Sequence, residues 1–144
     1  MVTLQEQRLV SRPIDEVFGY TADFENIEEW DPGVASSRRV DVGPLGVGSR
    51  FELKYRFGAS EIPMVYEITE YEPSVRVVLA GTSDSLDTVD TIEFESRDDG
   101  RTGIDYRAEL EFHNWVRFVS PFIRPVFDKV GRDAVDGLVA ALGR

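Results

Sequence analysis

Four residues in the middle of the chain could do chemistry: Asp90, Tyr55, Tyr66 and Tyr106, each within a segment of alternating apolar residues. Strand side chains alternate between two faces, so Asp90 points inward if Ile92 does. A buried carboxylate needs a partner or takes a raised pKa, and such groups can act as general acids or bases. A buried tyrosine hydroxyl likewise needs a hydrogen-bond partner. This set predicts a few polar groups inside an apolar interior, which suits an amphiphile or a polycyclic aromatic compound.

Two interpretations of this set remain open at the sequence level. A strand register shifted by one residue would move Asp90 into water, and the sequence favours that exposed position. The tyrosines fit a filled core, with hydroxyls bonded to backbone or water, about as well as they fit the wall of a cavity.

Other chemistry has weaker support in the sequence. His113 is the only histidine, and no nucleophile motif accompanies it, so we expect an exposed or structural role. Cysteine is absent, which excludes disulfides and thiolate ligands, and the acidic residues lack calcium-loop spacing. The glycine-rich segment 43–48 lacks the Gly-Lys-Ser/Thr of a phosphate-binding loop. We therefore predict no metal and no cofactor, with Arg76 and Arg107 as cations at the rim of a site.

The composition predicts one soluble domain over residues 1–144. Acidic residues outnumber basic ones by 27 to 16, a formal charge of −11, which disfavours nucleic acid and anionic membranes as partners. No run approaches the length of a membrane span, so we expect no stable membrane insertion. The lack of cysteine and of an apolar leader fits a cytoplasmic protein.

Strands and two short helices must position these residues. Phe51, Leu53 and Tyr55 alternate with charged residues, the clearest strand pattern in the chain. The full set of predicted strands covers residues 3–11, 34–42, 51–57, 61–72, 75–80, 88–96 and 102–112. Pro63 indicates an edge or a bulge. The short helices begin with Pro13 as the first helical residue and with Asp23 as an N-cap.

The last stretch, residues 118–142, has the apolar spacing of one long helix, about 36 Å in length. Its predicted apolar face contains Val119, Ile123, Val126, Phe127, Val130, Ala134, Leu138 and Ala141. Pro125 should bend the helix, and two separate segments are the alternative. A face this wide needs a large apolar partner, which the antiparallel strands supply as a curved sheet.

Several strings resemble the SRPBCC superfamily, which includes START lipid-transfer domains and Bet v 1-like proteins. R-P-I-D-E-V-F-G-Y-T-A-D-F-E-N-I-E-E-W-D-P resembles its opening, and V-Y-E-I-T-E-Y-E-P-S-V-R-V-V-L resembles its middle strands. The chain looks most like the polyketide cyclase/dehydrase and lipid-transport branch. The resemblance implies an α+β helix-grip fold, in which a curved antiparallel sheet of six or seven strands wraps a long C-terminal helix. Two short helices follow the first strand.

The resemblance also shifts the expectation from a filled core to a ligand cavity between sheet and helix. The expected lining is Trp30 at the mouth, with Phe51, Leu53, Tyr55, Met64, Tyr66, Leu79, Ile92, Tyr106, Leu110, Phe122, Val126 and Val130. The expected function is binding of a hydrophobic small molecule such as a lipid, quinone or polyketide. A cyclase or dehydratase using Asp90 and the three tyrosines is the first alternative, and a co-chaperone-like interaction module is the second.

Overall fold

A computed structural model describes residues 1–114 and 116–143, with the backbone alone for residues 116–124. Within these residues the chain forms seven strands, three α-helices and one 3-10 turn. The elements are β1 (Val2–Val10), α1 (Ile14–Ala22), the 3-10 turn (Phe24–Asn26), α2 (Ile27–Trp30), β2 (Val34–Arg39), β3 (Arg50–Phe57), β4 (Ser60–Glu72), β5 (Arg76–Thr82), β6 (Leu86–Ser96), β7 (Thr102–Phe112) and α3 (Val116–Ala141).

The strands form one antiparallel sheet in the order β1-β7-β6-β5-β4-β3-β2. Five of its six pairings join strands that are consecutive in sequence, as short connections predict. The sixth pairs β1 with β7, in a register that runs from Val2 opposite Leu110 to Val10 opposite Thr102. Because alternate residues of each strand face α3, the sheet supplies one apolar face to the core.

Pro63 lies where the sequence pattern places it, at a local edge. At this position β4 pairs with β3, through Pro63 opposite Lys54, whereas the pairing of β4 with β5 begins only at Val65. Proline donates no ladder hydrogen bond, so it is tolerated where one neighbouring strand is missing. A register shift between Ile68 and Glu70 adds an irregularity farther along β4.

The two short helices lie near their predicted positions, with one correction. Pro13 is the N-cap of α1 in an extended conformation and is not the first helical residue; its carbonyl accepts the Val17 N–H at 3.1 Å. Asp23 caps the 3-10 turn as predicted, since its Oδ1 accepts the Glu25 N–H at 3.1 Å. These segments follow β1 and lead directly into Trp30.

The last element is a single helix, so the alternative of two separate segments is wrong. Its C-terminal half is anchored, with Val135 and Leu138 buried. Its middle is not: Val126 and Val130 belong to the predicted apolar face, yet they remain 58% and 36% exposed. The helix therefore packs firmly at one end and stands away from the sheet farther along.

A close backbone approach fixes the anchored end. A Cβ added at Gly137 of α3 would lie only 1.9 Å from the Trp30 carbonyl oxygen. That separation is far inside the van der Waals contact distance, so only glycine fits there. Gly131, six residues earlier on the same helix, would place a Cβ at an ordinary 3.5 Å from Leu4.

We expect Gly137→Ala to lower the free energy of unfolding by about 1–3 kcal/mol or more, because the methyl group must push α3 away from α2. Gly19→Ala is the matched control. Gly19 lies in the exposed face of α1 with no atom within 4 Å of its added Cβ, so alanine there should stabilise by about 0.5–1 kcal/mol. Urea unfolding of both variants measures the difference, and equal effects would contradict the close approach.

Candidate functional site

A cavity of about 760 Å³ separates the sheet from the middle of α3. Its walls come from β1, β3, β4, β6 and β7 on one side and from α3 on the other. The apolar part of the wall includes Leu4, Ile62, Met64, Leu86, Ala108, Leu110, Phe112, Val126, Phe127, Val130 and Ala134. The cavity lies where the helix, packed tightly through Val135 and Leu138, stands away from the curved sheet around Val126 and Val130.

Asp90 lies inside this cavity, 4% exposed. Its Oδ1 accepts the Thr88 hydroxyl at 2.7 Å, and its Oδ2 accepts the Tyr106 hydroxyl at 2.5 Å. The exposed position that the sequence favours for Asp90 is therefore wrong. The reason is register: β6 buries Leu86, Thr88, Asp90, Ile92 and Phe94 in strict alternation.

Cross-strand pairing brings Tyr106 to Asp90. Ala108 lies opposite Asp90, and Tyr106 lies opposite Ile92, two residues along β7. A diagonal neighbour on the same face is within reach of an aromatic side chain. The Tyr106 ring is also held from behind by Trp30, at a centroid distance of 6.2 Å.

A second carboxylate, Asp31, lines the same cavity and is not among the site residues that the sequence predicts. Asp31 follows Trp30 at the end of α2 and is 5% exposed. Its Oδ1 accepts the Gly33 N–H at 2.8 Å, as expected for the turn that Asp-Pro-Gly predicts. The available signal was its position directly after a buried aromatic residue, but a turn residue is ordinarily assigned to the surface.

The two carboxylates share a buried environment that raises the pKa of each above its ordinary value. Burial raises the pKa of Asp31 to about 6; the Gly33 hydrogen bond opposes this, and the charges of Asp90 and Asp133 add to it. Burial also raises the pKa of Asp90, against the stabilising hydrogen bonds from Tyr106 and Thr88. Such shifted carboxylates are common at functional sites.

Burial and nearby negative charge also raise the pKa values of all three predicted tyrosines. Desolvation is the first cause for Tyr55, Tyr66 and Tyr106, and the charges of Asp31 and Asp90 contribute to each. Their hydroxyls therefore stay protonated in the ordinary pH range, available as hydrogen-bond donors.

The lack of a side chain at Gly81 on β5 leaves room for the Tyr66 ring. A Cβ at Gly81 would lie 2.7 Å from both the Tyr66 ring and Thr88 Cγ2. The ring therefore occupies the space that a side chain on β5 would need. On the other side Phe24 contacts Tyr66 edge-on at 5.3 Å.

The structure divides the predicted lining residues into two groups. The residues at the cavity wall are Tyr55, Met64, Tyr66, Tyr106, Leu110, Val126 and Val130, together with Asp90. The residues packed in the filled core instead are Trp30, Phe51, Leu53, Leu79 and Ile92. The Phe122 side chain lies outside the described residues.

Other elements cover part of this second group. Phe51 and Ile92 point to the same face as the wall residues, but lie where the short helical segments pack on β3 and β6. Phe24, for example, contacts the Phe51 ring at 6.2 Å. Trp30 is not at the mouth; it is 3% exposed and packed beneath the anchored end of α3.

The remaining sequence candidates lie away from the cavity wall. His113 Nε2 lies 3.0 Å from Asp87 Oδ2 at the end of β7. Arg76 pairs with Glu70 at 3.1 Å and Arg107 pairs with Glu109 at 3.3 Å, and neither arginine is among the described residues that line the cavity.

Among the residues that the structure describes, no group of three or more histidine, cysteine or acidic side chains is arranged to hold a metal ion. None of the described helices is long and apolar enough to cross a membrane.

Comparisons with known proteins agree with this architecture. A family model described as polyketide cyclase / dehydrase and lipid transport matches residues 1–143. No curated protein gives a significant match.

Solved structures with the same architecture include an aromatase/cyclase, Zhui, from a Streptomyces species, with 12% identity, a TM-score of 0.78, and coverage of 99% of this chain and 94% of that one. A START superfamily protein from Mycobacterium smegmatis has 10% identity, a TM-score of 0.78, and coverage of 97% and 96%. A Thermobifida fusca protein has 22% identity, a TM-score of 0.71, and coverage of 100% and 95%. At these identities the likeness shows the fold, and the predicted helix-grip fold is confirmed.

Asp31→Asn should flatten the pH dependence of stability. The pKa of Asp31 is raised from its ordinary 3.8 to about 6 in the folded protein, which therefore binds this proton more tightly than the unfolded chain does. That contribution is fully present below about pH 4 and is lost as pH rises through about 6. A gap of about two between the pKa values corresponds to about 3 kcal/mol.

Urea unfolding at intervals from about pH 4 to 8 measures this effect. Asparagine keeps the oxygen that accepts the Gly33 N–H, so the local turn should persist in the variant. Asp98→Asn, on the exposed β6–β7 turn, is the control for net charge. Parallel pH profiles for wild type and Asp31→Asn would contradict the assignment.

Proposed function

This chain belongs to the polyketide cyclase / dehydrase and lipid transport family, and we propose that it binds a hydrophobic or amphiphilic small molecule between its sheet and α3. A lipid, a quinone or a polyketide-like compound fits the proposal. The sequence resemblance to lipid-transfer and cyclase branches supports these classes, and the Streptomyces neighbour is itself called an aromatase/cyclase.

The observation that carries the proposal is the volume beneath α3. A cavity of about 760 Å³ lies within the range typical of small-molecule sites. Its walls are largely apolar, and the buried polar side chains Asp31, Thr88 and Asp90 lie at one end of it. An apolar body with one polar end matches that distribution. The co-chaperone-like alternative has less support, because it predicts a filled core.

The exposed apolar residues at the wall support an entrance between the β3–β4 hairpin and α3. Phe57 on the hairpin is 52% exposed and also lines the cavity. Val126 on the helix combines the same two properties. Large apolar side chains that contact both solvent and a cavity are expected at an opening through which an apolar ligand passes.

Partly filling the cavity should weaken binding without unfolding the protein. Ala134 lines the cavity from α3, whereas Ala140 on the same helix faces solvent. Ala134→Phe should weaken the binding of a fluorescent apolar probe by about tenfold or more, since a phenyl ring takes the space the probe needs. Ala140→Phe should bind like wild type.

Fluorescence titration with probes of several classes provides the measurement, with thermal unfolding as a check on folding. Absence of binding by wild type across fatty-acid and aromatic probes would contradict the proposal. Equal loss of binding in both variants would show that the probes bind elsewhere.

A second candidate, dehydration within a cyclase-type reaction, is favoured by one observation, the 2.5 Å hydrogen bond between Tyr106 and Asp90. Asp90 would take the α-proton of a β-hydroxy ketone. Tyr106, released from that hydrogen bond, would donate its proton to the departing hydroxyl, which leaves as water. The proton on Asp90 then returns to the Tyr106 oxygen, which restores the pair.

If this chemistry operates, Asp90→Asn should lower the rate of enone formation by about 100-fold or more, the usual range for loss of a general base. The assay follows the ultraviolet absorbance of the enone from an aromatic β-hydroxy ketone. Asp98→Asn is the control with the same change in net charge. Turnover of Asp90→Asn at the wild-type rate would eliminate this candidate.

A further inference from the structure

Two acidic residues at or near the cavity lie in salt bridges. Glu6, a wall residue on β1, lies 3.2 Å from Arg8 Nη1. Asp133, on α3 near Asp31, lies 2.6 Å from Lys129 Nζ. Each of these carboxylates therefore carries its own counter-charge.

Asp31 and Asp90 differ from those pairs. Among the described residues neither lies in a salt bridge, although both are at least nine-tenths buried. Each lies close enough to the other for the charge of Asp90 to raise the pKa of Asp31. A buried carboxylate stays ionised at low cost only when a cation is paired with it, and otherwise its pKa rises, as it does for both of these groups.

The described basic residue at the cavity wall does not supply that cation. Arg56 is exposed, and its Nη1 donates to the carbonyl oxygens of Pro32 and Val34 at 2.8 and 3.1 Å. The guanidinium is therefore bound at the outer edge of β2, and it is absent from the charges that act on Asp31.

Asp31 also has an unused acceptor. Its Oδ1 accepts the Gly33 N–H, but its Oδ2 accepts no hydrogen bond from the described residues. The side chain is 5% exposed and borders the cavity. Asp90, by contrast, uses both oxygens to accept hydroxyl protons, an arrangement suited to the ionised form.

We propose that the ligand carries a positively charged nitrogen on its apolar body and that this nitrogen binds beside Asp31 and Asp90. This inference rests on the proposed function. An ammonium or amidinium group supplies both the missing counter-charge and a donor for Asp31 Oδ2. A ligand with a carboxylate or phosphate at this end would meet two negative charges in an apolar surrounding, where repulsion is strong.

The aromatic wall is compatible with the same ligand. Tyr55, Tyr66 and Tyr106 border the cavity close to the two carboxylates, and the faces of aromatic rings attract cations. The apolar remainder of the ligand then occupies the space toward Val126 and Phe57.

A matched set of three ten-carbon probes tests the inference. Decylamine, decanol and decanoate share one chain and differ in head-group charge at about pH 7.5. Isothermal titration of wild type should give at least about tenfold tighter binding for decylamine than for decanol, since hydrogen bonds to ionised groups are about twice as strong as neutral ones. Decanoate should bind weakest.

Carboxylate variants link that preference to the site. Asp31→Asn and Asp90→Asn should each reduce the preference for decylamine over decanol, and the double variant should abolish it while still binding decanol. Asp98→Asn removes one negative charge from the exposed β6–β7 turn and should keep the wild-type preference. Retention of the preference in the double variant would overturn the inference.

The binding of the three probes to wild type distinguishes failure of the cationic head group from failure of the proposed binding function. If wild type binds decanol or decanoate as tightly as decylamine, the cavity binds apolar ligands and the inference of a cationic head group is overturned alone. If no probe binds, both the inference and the proposed binding function are overturned.

Discussion

The contact between Gly137 and the Trp30 carbonyl controls the rest of this structure. It allows α3 to lie against α2 with no side chain between them, which fixes one end of a long helix. Because that end is fixed, the middle of the helix cannot also follow the curved sheet. The space left over is the cavity, and the residues that would have been core, such as Val126 and Val130, become its wall.

The segment that receives α3 also builds the polar end of the cavity. Phe24 contacts Tyr66, Trp30 contacts Tyr106, and Asp31 projects beside them from the turn that follows. The segment 24–31 therefore closes one end of the fold and also positions the side chains of Tyr66, Tyr106 and Asp31. This explains why a small domain can hold rigid polar groups in an otherwise apolar interior, since packed neighbours restrict their rotamers.

Placing two carboxylates there carries a cost in stability. Burial disfavours the ionised form of each, and the charge of Asp90 further disfavours ionisation of Asp31. A core selected for stability alone would put apolar side chains at these positions, since replacing buried charges by well-packed apolar groups is often stabilising. Sites where stability is sacrificed in this way are commonly those that bind or react.

The sequence by itself determined the elements: alternation defined β3 and β7, three- and four-residue spacing defined α3, and Pro63 marked where β4 lacks a neighbour. These are local properties, set by the periods of strand and helix. Tertiary structure alone decided which residues border empty space. Asp90 is buried because of the register of β6, and Asp31 borders the cavity because of the turn after α2. Phe51 and Ile92 lie in the filled core because the short helices cover them. Such outcomes depend on how distant elements meet, which the spacing of residues along one chain does not encode.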